Sequence, residues 1–246
     1  MPRLRVFAGP NGSGKSTLLE ILPPEWIGIY INADDIERSI KRTGELDLTF
    51  FELGEDAEGR FVRLRDTLLG TERLDAGLAE RLAASLSLDG TKVRVPAEVM
   101  DSYIAATLAD FLRFELLAAG VDFTFETVMS HDSKVAFMAE AQSRGYRTYL
   151  YFIATEDVAI NVDRVQQRVV LGGHPVAEVN INKRYPKSIG LLRAACDVAN
   201  RAFIFDNSED SHRLVAEVTN GEELTVHTDS IPAWFAATEL WQDFQM

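Results

Sequence analysis

The sequence predicts a doubly wound α/β fold with a mostly parallel sheet, and three observations carry that prediction. Short apolar runs rich in β-branched and aromatic residues recur at 4–9, 27–32, 121–128, 146–154 and 201–207. Stretches with apolar residues three and four apart lie between them, at 132–144, 157–171 and 177–199, the spacing of amphipathic helices. The first apolar run leads directly into "GPNGSGKST" (9–17) and "LLEIL", a strand–loop–helix opening that starts a parallel sheet. The chain of 246 residues suits one domain with an insertion better than two independent ones.

The first loop holds the strongest motif. Gly9, Gly14, Lys15 and Ser16 satisfy G-x-x-x-x-G-K-[ST]. Small residues at this spacing let the backbone curl so that successive N–H groups point at phosphate oxygens. Gly9, Pro10, Asn11, Gly12, Ser13, Gly14, Lys15, Ser16 and Thr17 are therefore the expected nucleotide cradle. Lys15 would reach the β- and γ-phosphates, and the Ser16 hydroxyl would ligate Mg²⁺. "NKRY" at 182–185 lacks the aspartate of a GTPase N-K-x-D motif, and "LGGHP" at 171–175 only partly matches the ABC-ATPase L-S-G-G-Q. A nucleotide-dependent kinase needs the same cradle, a general base near an acceptor hydroxyl, and arginines on the γ-phosphate.

The second strand runs into "YINADDIE", which puts Asp34 and Asp35 just past a strand end, the edge where open α/β sheets bind ligands. Adjacent helical residues point about 100° apart, so one of the two is expected to face the phosphates. A carboxylate there could take a proton from an acceptor hydroxyl. Alternatively, Asn32 or Asp34 caps the next helix, and the residues alone leave both roles open. About ninety residues then separate strands two and three, far more than a standard crossover. Residues 71–86 and 97–120 in this stretch have helical periodicity behind an acidic lead-in at 44–59. A helical insertion is therefore expected at 44–108.

Strand three ends in "FTFETVMS", with Glu126, Thr127 and Ser130 at its tip. A glutamate among apolar neighbours needs a partner: an arginine, a substrate hydroxyl, or Mg²⁺ directly or through water. Asp206 in "AFIFD" has a similar strand-end position, and spacing does not choose between the two acids. Arg164 and Arg168 lie four apart on one predicted helix face, a repulsive spacing that an anionic ligand would relieve. "GGH", containing His174, then Arg184 and Lys187 follow. This pattern suits a mobile lid that carries guanidinium groups to a transferring phosphate, and the residues alone equally allow a solvated basic helix face. The tail, with "LVAEV", "ELTVHTD" and "IPAWFAATELWQDF", is expected to form a short antiparallel pair and a closing helix. Trp234 and Trp241 are expected to pack there.

Bulk properties narrow the setting. A net charge of −13 argues against general nucleic-acid binding. The lone Cys196 cannot form an internal disulfide, and no apolar run reaches the roughly 18 residues of a membrane helix. With the first strand starting at residue 4, no signal peptide is expected, and the expected location is cytoplasmic.

Taken together, "GPNGSGKST", "NADDI", "FETVMS" and "RVQQRVVLGGHPV…INKRYPKSIGLL…FDNS" resemble the zeta-toxin-like P-loop kinase family, in its small bacterial branch. The likeness covers roughly 4–43 and 109–208. It implies an ATP- and Mg²⁺-dependent kinase, and the family's best-known members phosphorylate UDP-N-acetylglucosamine on a sugar hydroxyl. By the same resemblance Asp34 is the general base, Glu126 and Thr127 are a substrate- and metal-side element, and Arg164, Arg168 and Arg184 occupy lid positions. Asn32 and Ser130 fall within the matching segments as acceptor contacts. Val128 departs from the family's E-T-T-L-S, and the 44–108 insertion lies where the acceptor pocket should form. No N-terminal antitoxin-binding extension is visible, so an inhibitor would be a separate protein or the insertion itself. The competing reading is a regulatory NTPase whose nucleotide state controls a protein partner.

Overall fold

The computed structural model describes residues 1–173 and 175–245. His174 and Met246 lie outside the described residues. Among the described residues the strands are β1 (Arg3–Ala8), β2 (Ile29–Ile31), β3 (Glu45–Asp47), β4 (Ser87–Asp89), β5 (Lys92–Arg94), β6 (Phe123–Thr127), β7 (Arg147–Ala154), β8 (Arg201–Asp206), β9 (Arg213–Thr219) and β10 (Glu223–Val226). The chain divides into two compact units, 1–28 with 123–246, and 29–122.

In the first unit the strands lie in the order β10-β9-β8-β7-β1-β6. β6, β1, β7 and β8 run parallel, while β9 and β10 are antiparallel to their neighbours. The parallel strands are apolar almost throughout because both of their faces are covered. On one face Phe7 stacks on Tyr151 at 4.7 Å and Tyr151 on Phe203 at 5.2 Å, with Leu18 closing over them. On the other face Phe123 and Phe125 meet Phe137 edge-on. Phe137 belongs to the helix Ser133–Ser143. The helix Val158–Val170 forms where expected, whereas 177–199 divides into Glu178–Gly190 and Leu192–Asp197. The division falls at Gly190, a residue that stabilises helix interiors poorly. The tail forms the antiparallel pair β9–β10 and two short helices, Ala233–Ala236 and Glu239–Asp243. Trp234 is buried there, and Phe235 packs between it and Trp241. Cys196 is free and fully buried, and burial raises its thiol pKa far above the usual range.

The second unit contains the predicted helices and also strands that periodicity did not indicate. β3, β5 and β4 form an antiparallel three-stranded sheet. Each of these strands is three residues long, too short for a period of two to register. The predicted helix at 97–120 begins at Ser102, where the Asp101 carboxylate accepts from the N–H groups of Tyr103 and Ile104, both at 2.9 Å. It ends on Gly120 at φ 70°. The buried Glu115 of this helix accepts from Arg60 Nε at 3.1 Å and from Arg63 Nε at 2.6 Å. Removing one partner of a buried charge network leaves uncompensated charge behind. Glu115→Ala is therefore expected to lower unfolding stability by about 3–5 kcal/mol, measured by urea denaturation. Among the described residues no helix is long and apolar enough to cross a membrane.

Candidate nucleotide and phosphoryl-transfer site

β1 ends at Ala8, and the chain turns at Gly9 with φ 139°. A Cβ at Gly9 would lie 1.9 Å from the Ile153 carbonyl oxygen, so only glycine fits between β1 and β7. Gly14, at φ 91°, caps the helix Lys15–Glu20, and a Cβ there would lie 2.2 Å from Asn207 Nδ2. Three side chains from distant segments hold the carbonyls of this loop. Asn161 Nδ2 donates to Asn11 O at 2.6 Å, and Asn207 Nδ2 donates to Ser13 O at 2.9 Å. His212 Nε2 lies 2.9 Å from Gly14 O. A carbonyl can only accept, so this contact makes Nε2 the protonated ring nitrogen. These contacts let groups of the chain itself brace the curl of the loop.

Lys15 is buried, and its ammonium donates to Gly9 O and Pro10 O, each at 2.9 Å. Ser16 Oγ donates to Glu126 Oε2 at 3.0 Å, and Lys15 Nζ stands 3.9 Å from Glu126 Oε1. The sheet register explains this meeting: Phe7 pairs with Glu126 and Ala8 with Thr127, so Glu126 emerges beside the mouth of the loop. Asp206, the other strand-end acid, is committed elsewhere. Its carboxylate accepts from Ser208 Oγ at 2.6 Å, Trp234 Nε1 at 2.9 Å and Arg213 Nη2 at 3.3 Å. Of the two acids, Glu126 is the one that reaches Lys15 and Ser16.

The strand-end turn after Glu126 is bound tightly. Thr127 Oγ1 accepts from Met129 N at 3.0 Å, and Met129 adopts φ 50°. Val128 O accepts from Ser188 Oγ at 2.7 Å, which ties the turn to the helix Glu178–Gly190. Ser130 is half-buried beside it. Arg164 donates to Asn207 O at 2.7 Å and to Glu209 O at 3.0 Å, so its guanidinium closes on the segment that also braces the phosphate loop. Arg168 is exposed at the end of the same helix, and Arg184 is half-buried on the next. Tyr185 OH donates to Thr155 O at 2.5 Å, and burial is the main reason its phenol pKa rises to about 12.

In the second unit Asn32 caps the helix Ala33–Thr43, accepting from Asp34 N at 2.8 Å. The capping role thus falls to Asn32. Asp35 is exposed and pairs with Arg38 at 2.9 Å. Asp34 is half-buried, and its carboxylate has no hydrogen-bond or ion-pair partner among the described residues.

Sequence reasoning missed Asn161, Asn207 and His212. Asn161 offered one signal, an amide on the apolar face of its helix, where it is fully buried. Asn207 stands in the "FDNS" segment of the resemblance, which did not reveal its role, and His212 offered no signal; they act on backbone atoms 194 and 198 residues away.

The mostly parallel sheet and the strand–loop–helix around Gly9–Thr17 define a P-loop NTPase-like α/β fold. A solved structure from the PezAT chromosomal toxin-antitoxin system of Streptococcus pneumoniae shares this fold. It is 14% identical, with a TM-score of 0.51 over 100% of this chain and 83% of that one. The AvrRxo1-ORF1:-ORF2 complex with ATP matches at 14% identity and a TM-score of 0.49, over 92% of this chain and 61% of that chain. An uncharacterised protein of Haemophilus influenzae is 34% identical over 65 residues. That match takes in 26% of this chain and 46% of the relative, so the chain matches about half the length of that protein. No protein-family model matches.

Proposed function

We propose that the protein is an ATP- and Mg²⁺-dependent kinase that transfers the γ-phosphate to a hydroxyl of a small molecule. A sugar nucleotide such as UDP-N-acetylglucosamine is the leading acceptor. The observation that carries this reading is the meeting of Ser16 Oγ, Glu126 and Lys15 at the mouth of the loop. A hydroxyl and a carboxylate are hard oxygen donors that suit Mg²⁺, an ion that usually keeps several waters and takes the rest of its ligands from substrate phosphates. Such a site needs no cluster of protein carboxylates, and among the described residues no group of three or more His, Cys, Asp or Glu could hold a metal. Ser13 Oγ, buried in the loop without a hydrogen-bond partner among the described residues, is a donor that suits a phosphate oxygen. Ser16 and Glu126 would hold the ion, which supplies charge neutralisation on the phosphates when bound.

Within this reading the cradle Gly9–Thr17 fixes the donor, and Lys15 neutralises charge on its terminal phosphates. Asp34 accepts the proton of the attacking hydroxyl. Its carboxylate is spared from capping by Asn32 and is engaged by no cation among the described residues. Arg164 and Arg168 close on the transferring group, while Asn32, Thr127, Ser130 and Arg184 position the acceptor. The resemblance to zeta-toxin-like kinases supports the sugar-nucleotide assignment, and the lone Cys196 supports a reducing, cytoplasmic setting. The toxin-antitoxin origin of the PezAT structure supports a separate antitoxin protein as a partner.

The test uses γ-labelled ATP with a panel of sugar nucleotides and a bacterial metabolite extract, with identification of the labelled product. Label is expected on a hydroxyl of one sugar nucleotide. ATP hydrolysis without any labelled small molecule would replace this reading with that of a regulatory NTPase.

A further inference from the structure

Within the first unit, away from the phosphate loop, lies an open cleft of about 390 Å³ between the helix Glu178–Gly190 and the C-terminal helices. Its volume falls in the range of small-molecule sites, about 300–1,000 Å³. Two aromatic side chains in the lining have no free donor to offer. Trp234 gives its indole N–H to Asp206, and Tyr185 gives its hydroxyl proton to Thr155 O, so the donors of both are already spent within the protein. Two carboxylates stand at the rim. Glu156 and Glu239 line the cleft, are exposed, and have no ion-pair or hydrogen-bond partner for their carboxylates among the described residues. The cationic lining residue, Arg193, is already neutralised by Asp197 at 3.0 Å and Asp243 at 2.9 Å. Its guanidinium also lies over the Phe244 ring. The cleft therefore combines an apolar and aromatic lining with carboxylates that no cation neutralises among the described residues, which favours a cation carried on an apolar body.

We propose that this cleft binds a small molecule that joins a compact apolar body to one ammonium or guanidinium group, and that its occupancy is coupled to the phosphate loop. The coupling follows from what the two aromatic side chains touch. Thr155, whose carbonyl receives the Tyr185 hydroxyl, donates from its own Oγ1 to Asn161 Oδ1, and Asn161 Nδ2 holds Asn11 O. Trp234 holds Asp206, whose neighbour Asn207 holds Ser13 O. Displacing either ring therefore moves a group that ties down a loop carbonyl. By linkage the effect on the two affinities is reciprocal.

The full chain is titrated calorimetrically with phenethylamine, phenethyl alcohol and phenylacetate, and the Trp234 indole resonance is followed by NMR. Phenethylamine is expected to bind saturably, shift that resonance, and bind at least about tenfold more tightly than the alcohol, a ratio worth about 1.4 kcal/mol. Phenylacetate is expected not to bind. The double variant Glu156→Gln/Glu239→Gln is expected to bring the amine down to the alcohol's affinity without changing the alcohol's. Ala237→Trp, at an exposed lining position, is expected to block both ligands with unchanged circular dichroism. Equal affinities for amine and alcohol, or an unaltered amine affinity in the double variant, would overturn the site. Saturating amine is expected to change the affinity for a non-hydrolysable ATP analogue at least about threefold in the parent and not in Ala237→Trp. An unchanged analogue affinity in the parent would overturn the coupling. The amine titration needs no nucleotide, so its outcome is independent of the kinase reading.

Discussion

Asp34→Asn is expected to lower the rate of phosphoryl transfer by about 10²–10⁴-fold, the usual contribution of a positioned general base. The affinity for ATP should stay within about threefold, since in the proposed mechanism the base acts on the acceptor side. The substitution should also be nearly silent in stability. Asn32 already caps the helix, so the loss is confined to one first-turn charge, worth about 0.3–1 kcal/mol. That separation gives the experiment its force. Single-turnover kinetics, ATP-analogue titration and thermal melting on the same preparation should show one large change and two small ones. Transfer at the parent rate would remove Asp34 from the mechanism. A comparable fall in ATP affinity would instead make it a donor-site residue.

Gly9→Ala is expected to weaken nucleotide binding at least about 100-fold, which corresponds to about 2.8 kcal/mol. The cause is steric. The new methyl would lie 1.9 Å from Ile153 O, and the φ of 139° is one that L residues rarely adopt. Neither the obstructing backbone of β7 nor the turn can move without disturbing the parallel pairing of β1 with β7. Calorimetric titration with an ATP analogue measures the effect, and near-parental affinity would show that the loop can reshape around a side chain.

Much of the fold was legible because it is written locally. The five apolar runs and the intervening helical periodicity correspond to β1, β2, β6, β7 and β8 and to the helices Ser133–Ser143 and Val158–Val170. The phosphate loop was legible for the same reason, since its motif occupies nine consecutive residues, Gly9–Thr17. The choice between Glu126 and Asp206 was not. Both end apolar strands, and they differ only in what tertiary structure brings to them. Asp206 receives the indole of Trp234, 28 residues later, while the register of β6 on β1 carries Glu126 to Ser16. The three-residue strands β3, β4 and β5 were hidden for a different reason. Their stability comes from cross-strand pairs such as Glu45 with Arg94, which leave no trace in periodicity.

The bracing of the phosphate loop also bears on the order in which the protein becomes competent during synthesis. The loop leaves the ribosome well before two of the groups that hold its carbonyls, since Asn207 and His212 follow 194 and 198 residues later than the positions they hold. Contacts of such separation form late, after the intervening chain has closed. A nascent chain would thus carry the complete motif, without the braced geometry, until the segment holding Asn207 and His212 has been made. Nucleotide affinity should appear abruptly once β8 and the segment after it have been released and docked, making ATP-analogue capture a reporter of completed folding.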